Sequence, residues 1–167
     1  MSDSNAASAV PRRDLNFSDL SQVLEEVDRL AAGGYQQAGN WNLAQTCQHL
    51  TDWIRFPVEG FPVQPLPMRM ILAILKITIA KSQFKRMLAS DTMKAGQPTM
   101  PATVYPAASA QSEQEMRQAV ELFKSKVRQF IENQEPIHPS PLFGAMDKST
   151  ADHLQRIHCA HHLSYLI

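Results

Sequence analysis

Four of the six histidines, His153, His158, His161 and His162, fall within ten residues of one another near the end of the chain. At about 100° per residue, His158 and His162 share one helical face about 40° apart, an arrangement in which two imidazoles reach one ion. His161 points about 100° away from His162 and reads as a packing or supporting residue. A further ligand has to come from another element, and His49 is the remaining histidine in a stretch with helical character. The same residues also have a plain structural reading. An i, i+4 histidine pair suits a solvated or hydrogen-bonded helix face, and a lone histidine beside an apolar stripe suits a satisfied core position.

Other reactive side chains give weaker signals. Cys47 precedes His49 by two positions and Cys159 follows His158, so both turn away from the histidine face and suit core packing. Asp52 and Trp53 could line a pocket on the His49 side, with a surface aspartate and a core tryptophan as the ordinary alternatives. His138 opens a proline-rich loop, His138 to Gly144, that could fold over a site or merely cap a turn.

Helices must position these groups. From Ser18, a candidate cap, Leu20, Val23, Leu24, Val27, Leu30 and Ala31 recur at helical spacing opposite Asp19, Glu25, Glu26 and Asp28, and Gly33-Gly34 supplies a stop. Asn40 or Asn42 can cap a second helix with Leu43, Cys47, Leu50 and Ile54 as its stripe, which Pro57 is expected to end. Ser112 and Glu115 form a capping-box pattern for a third main helix burying Met116, Ala119, Val120, Phe123, Val127, Phe130 and Ile131, closed by Pro136. Ser149 or Thr150 can cap a last helix running nearly to Ile167. Between Pro57 and Ala110, seven prolines surround one apolar helix of about Met68 to Leu88. No segment alternates as a strand would. The expected architecture is all-α, a four-helix bundle whose long crossover between the second and third main helices contains an extra helix.

With 167 residues, 44% of them hydrophobic and 19% charged, the chain suits one globular domain over residues 12–167 behind a small, polar, disordered tail, residues 1–11. Sixteen basic residues balance sixteen acidic ones, which gives no overall field for nucleic acid or an anionic membrane. Two cysteines make no disulfide framework, and Arg12-Arg13 is followed by an acidic helix rather than a hydrophobic signal region, so a cytoplasmic protein is expected. The run from Met70 to Ala80 is interrupted by Lys76 and is shorter than the roughly 20 residues of a membrane span. Its stripe predicts burial on the bundle or on a partner subunit, as in a homodimer. Membrane contact through this helix, with Arg69, Lys76, Lys81, Lys85 and Arg86 interspersed, is the weaker alternative.

The stretch from Gly39 to Leu50, GNWNLAQTCQHL, together with HPSPLFG from His138 and HCAHHL from His158, resembles the DinB/YfiT-like superfamily. More narrowly it resembles a bacterial branch known as domain of unknown function 1569. The resemblance covers Arg12 to Ile167. It implies a four-helix bundle holding a divalent metal through His49, His158 and His162, in a superfamily that includes thiol-dependent S-transferases and isomerases. Two departures stand out: no aromatic residue is evident around Asp152-His153, and Tyr165 stands where relatives often carry glutamine. Three neutral imidazoles leave coordination positions open, where water or a low-molecular-weight thiol loses its proton near neutral pH. Zinc, nickel and ferrous iron all suit the ligand type. A free imidazole pKa near 6.5 predicts that metal occupancy falls as the pH drops through about 6 to 5. The expected function is therefore a metal-dependent enzyme acting on a small electrophilic substrate, with Asp52, Trp53, His138, His161 and Tyr165 as pocket residues. The alternative is a non-catalytic helical binding module.

Overall fold

The computed structural model describes residues 12–75, 80–96, 100–106 and 112–167. The expected tail, residues 1–11, lies outside the described residues. The described chain is all-helical, with α1 (Leu20–Gly33), α2 (Leu43–Glu59), α3 (Leu66–Leu75), α4 (Lys81–Ser90), α5 (Glu113–Glu132) and α6 (Lys148–Leu163), and one 3-10 turn, Pro101–Thr103. Among the described residues there is no strand, only isolated bridges between Gln37 and Leu166 and between Ser140 and Gly144. No helix there is long and apolar enough to cross a membrane.

Capping chemistry sets the ends of these helices. Asp19, not Ser18, caps α1, its carboxylate accepting from the Ser21 and Gln22 amides at 2.8 and 3.1 Å. Asp147, not Ser149 or Thr150, caps α6 by accepting from the Thr150 amide at 2.7 Å. In the first helix the acidic residue one position later takes the free N–H groups, in the last the one two to three positions earlier, and a carboxylate also suits the positive end of the helix. Asn42 and Ser112 head α2 and α5 in reciprocal capping boxes with Gln45 and Glu115. At the far end of α1, Gly34 adopts φ 74°, the conformation glycine accepts without strain.

Pro57 does not end α2, which continues to Glu59. A proline removes the donor for the carbonyl four residues earlier. Here that carbonyl, on Trp53, accepts instead from Gln155 Nε2 of α6 at 2.9 Å, so the break in the ladder becomes a link between two helices. Gly60 then stops the helix at φ 100°.

Helices α1, α2, α5 and α6 close on one core. It contains Leu20, Val23, Val27 and Leu30 of α1, Leu43, Cys47, Leu50 and Ile54 of α2, Val120, Phe123, Val127 and Phe130 of α5, and Cys159 and Leu163 of α6. Burying each large side chain contributes roughly 1.5–3 kcal/mol. Lys124, nearly buried on α5, reaches Asp28 of α1 at 2.6 Å and Glu121 at 3.2 Å. Ile131, expected in the core, is exposed at the end of α5. After α6 stops at Leu163 rather than near Ile167, the last residues pair with the segment after α1, where Gln36 and Ile167 exchange amide and carbonyl bonds of 2.6 and 2.8 Å.

The crossover departs from expectation. Instead of one helix over Met68 to Leu88 there are two, α3 and α4, with residues 76–79 between them outside the described residues. No residue of α3 is buried, and Met70, Ile71 and Ile74 are 61%, 50% and 57% exposed. The expected burial on the bundle of the same chain is thus absent, because the four main helices already satisfy one another's apolar faces. It is α4 that packs against the rest, with Phe84 stacked on Phe143 at 4.8 Å between ring centroids.

Candidate metal centre

His49 lies in the middle of α2 and is 1% exposed. Its Nδ1 sits 2.9 Å from the Thr103 carbonyl. A carbonyl only accepts, so Nδ1 carries the proton and donates it, leaving the lone pair on Nε2. That Nε2 faces His158 Nε2 at 3.3 Å. The histidine pair on α6 closes the cluster, with His162 4.5 Å from the His49 ring and 4.7 Å from the His158 ring. One ring nitrogen from each of His49, His158 and His162 lies within 4.8 Å of the others, and the three could hold a metal ion.

The donor set fits such an ion. Zinc–imidazole bonds of about 2.0–2.1 Å in a tetrahedral arrangement place neighbouring nitrogens about 3.3 Å apart, as for His49 and His158. Burial holds His49 below the ordinary imidazole pKa, although the Thr103 carbonyl and Asp52 oppose it. Burial first, and then the neighbouring histidines, push His158 and His162 well below it. All three are therefore neutral at pH 7, the state in which an imidazole can bind metal.

Two tryptophans wall the cluster. Trp41 stacks on His162, with centroids 5.3 Å apart and planes at 11°, and lies 4.8 Å from the His49 ring. Trp53 meets His158 edge-on at 5.6 Å. Its Nε1 is buried and has no acceptor among the described residues. Two residues before Trp41, Gly39 passes close to Tyr165, whose Cβ would lie 3.1 Å from a Cβ placed on Gly39. Any larger residue at this position would require the Tyr165 side chain to shift by a few tenths of an ångström.

A face of α2 holds the crossover behind His49. Gln45, His49 and Asp52, spaced by four and three, all bond residues 103–105. Gln45 Nε2 donates to the Tyr105 carbonyl at 2.8 Å, His49 donates to Thr103, and the Tyr105 hydroxyl donates to Asp52 at 2.6 Å. Arg55 holds the other Asp52 oxygen at 2.8 Å. Burial, then the bond to Asp52, pushes the Tyr105 phenol up to about 12. Asp52 thus anchors the segment that orients His49. Thr103 and Tyr105 escape sequence reasoning, although the polar strip at 45, 49 and 52 on an otherwise apolar helix was a readable sign that something polar docks there.

The remaining expected residues divide. Trp53 lies against the ligand rings, whereas His161 and Tyr165 stand one layer out. His161 meets His162 edge-on at 4.8 Å and Tyr165 at 5.6 Å, and its Nδ1 lies 3.1 Å from the Met93 carbonyl. Burial, then the Arg12 guanidinium, lowers its pKa to about 4. His153 pairs with Asp91, so His153 and His161 both tie the end of α4 to α6. His138 does not join the cluster. Its amide donates to the Pro57 carbonyl at 2.8 Å and its ring lies against Gly60, roughly 12–16 Å along α2 from His49 at 1.5 Å per residue. Cys47 and Cys159 are buried free thiols with pKa values pushed beyond the ordinary range by burial, which makes them inert.

No curated protein and no solved structure matches the chain. A family profile does, over residues 9–167, and so takes in both helices of the histidine cluster, the crossover that supports it and the Tyr165 end of the chain. The chain accordingly belongs to the family described as "Protein of unknown function (DUF1569)".

Proposed function

We propose that α1, α2, α5 and α6 are the four-helix bundle of a DinB/YfiT-like protein, and that His49, His158 and His162 hold one divalent ion, zinc, nickel or ferrous iron, for catalysis on a small electrophilic substrate. The observation that carries this reading is the meeting of His49 Nε2, its tautomer set by Thr103, with the α6 pair at ligand spacing. Such an ion would supply Lewis acidity, making a coordinated water or low-molecular-weight thiol nucleophilic near neutral pH. The protein's own part is orientation and exclusion. Thr103 fixes the His49 ring, burial keeps the three imidazoles unprotonated, and Trp41 and Trp53 keep bulk water away while giving an apolar substrate a surface.

Elemental analysis of untagged protein, followed by turnover assays pairing thiols with electrophiles, tests the proposal. Near-stoichiometric metal that His158→Ala loses, with activity that follows metal content, supports it. A second reading draws on the same 3.3 Å separation, which also suits a hydrogen bond from His158 Nε2–H to His49 Nε2. In that case the cluster is a structural element of a non-catalytic module, and saturating zinc or nickel leaves the protein metal-free.

A further inference from the structure

The charge balance of the whole chain conceals a segregation. From residue 60 to 112 there are six basic residues, Arg69, Lys76, Lys81, Lys85, Arg86 and Lys94, and a single acidic one, Asp91. Six minus one makes this segment +5 in a chain of net zero, and the remainder −5. Elsewhere most cations pair with carboxylates, as Arg13, Arg29, Arg55, Lys124 and Arg156 do. Arg69, Lys81, Lys85, Arg86 and Lys94 are exposed, and none pairs with a carboxylate among the described residues. In the same segment lie seven of the nine exposed large apolar side chains among the described residues, led by Val63, Leu66, Met70 and Ile74. Six of them lie on α3 or just before it, an accumulation of exposed apolar groups of the kind that marks an interaction site.

We propose that α3 and α4 form a docking element for an anionic lipid surface, with α3 lying in the interface plane and the lysines and arginines around it meeting the headgroups. Helix α3 spans only about 15 Å at 1.5 Å per residue, too short to cross a bilayer but suited to lying along one. Charge complementarity favours an anionic lipid surface: apart from Arg69, α3 offers only Leu, Pro, Met, Ile and Ala, and the residues that follow it in sequence carry the unpaired cations. A second copy of the chain is the poorer occupant, because a two-fold interface would set one cationic segment against its twin. The balanced overall charge is no obstacle, because exposed charges act over about one Debye length, roughly 10 Å, and a membrane sees only the face turned toward it.

The test is co-sedimentation of the full chain with phosphatidylcholine vesicles and with vesicles carrying about 30% phosphatidylglycerol, at about 0.1 and 0.5 M salt. Binding should require the anionic lipid and fall at the higher salt. Lys81→Glu with Lys85→Glu should cut the partition coefficient roughly tenfold or more. Met70→Ser with Ile71→Ser should abolish it while leaving the helical circular dichroism unchanged, since these side chains support no core. Absence of binding to the anionic vesicles, equal binding to both kinds, or a dimer in sedimentation equilibrium that Ile71→Glu dissociates in place of vesicle binding would each overturn the proposal.

Discussion

The histidine cluster and the crossover invert the usual placement of side chains. Between α2 and α6, polar groups are buried and almost every one has a partner: His49 has Thr103, Gln45 has Tyr105, Asp52 has Arg55 and Tyr105, and Gln155 takes the carbonyl that Pro57 freed. In α3, apolar groups face outward. Burying polar groups costs free energy unless each is bonded, and exposing large aliphatics forgoes stabilisation, so neither arrangement serves folding alone. Two interaction surfaces of opposite chemistry, the metal site and the lipid-docking element proposed above, would account for both. The same difference separates what mutation should do in each region.

The largest contrast is thermodynamic. Phe123→Ala empties a fully buried site between four helices and should destabilise the protein by about 3–5 kcal/mol. Ile71→Ser should change the unfolding free energy by no more than about 0.5 kcal/mol, read from urea melts of both variants. Comparable losses would mean that α3 is covered in solution. At the histidine end, His158→Ala should weaken metal binding by more than about 100-fold, beyond the cost of removing a supporting residue. His153→Ala, whose ring meets Asp91 rather than the cluster, should change affinity less than about threefold by competition with a chelator. Equal losses in the two variants would remove His158 from the ligand set.

How far the sequence reveals each region follows from the range of the interactions involved. The histidine pair was legible because i, i+4 spacing on a helix is local geometry, and the core faces of α1, α2 and α5 because apolar periodicity survives on every long amphipathic helix. Caps were misplaced at Ser18 and Ser149 because several eligible residues stand together, and backbone geometry chose the aspartate. Pro57 was misread because the group that tolerates it, Gln155, is 102 positions away from Trp53. Thr103 and Tyr105 carry no local mark of their role. The apolar stripe of the crossover was read correctly as apolar, but the bundle of the same chain does not cover it on α3, since periodicity says which face is greasy and not what covers it.

That long-range support makes a smaller prediction. Tyr105→Phe removes only the hydroxyl that holds Asp52 and so loosens the turn bearing the Thr103 carbonyl. Metal affinity should fall roughly tenfold, as for other residues that orient a ligating histidine, with little change in the stability of the apo protein. A shift in apo melting as large as the shift in affinity would make Tyr105 a packing residue rather than a positioning one.

The last contrast is between the two states of the protein as a function of pH. In the folded apo protein, burial keeps the pKa values of His49, His158 and His162 below 6.5, while in the unfolded chain they return to about 6.5. Below about pH 6.5 the unfolded chain therefore takes up protons that the folded one refuses, so apo stability must rise with pH through this window and decline as the pH falls. Metal competes with protons for the folded site, and there the relevant values are the lowered ones. Occupancy should accordingly survive further into acid than the interval of about pH 6 to 5 expected of free imidazoles. Thermal melts of apo and zinc-loaded protein at matched metal excess separate the two effects. The apo melting temperature should begin to fall just below about pH 6.5, while the holo advantage persists through that point and closes only at lower pH. An advantage that closes together with the apo decline would mean that the three imidazoles titrate as exposed groups do, and the site would lack the buried, neutral character that its geometry requires.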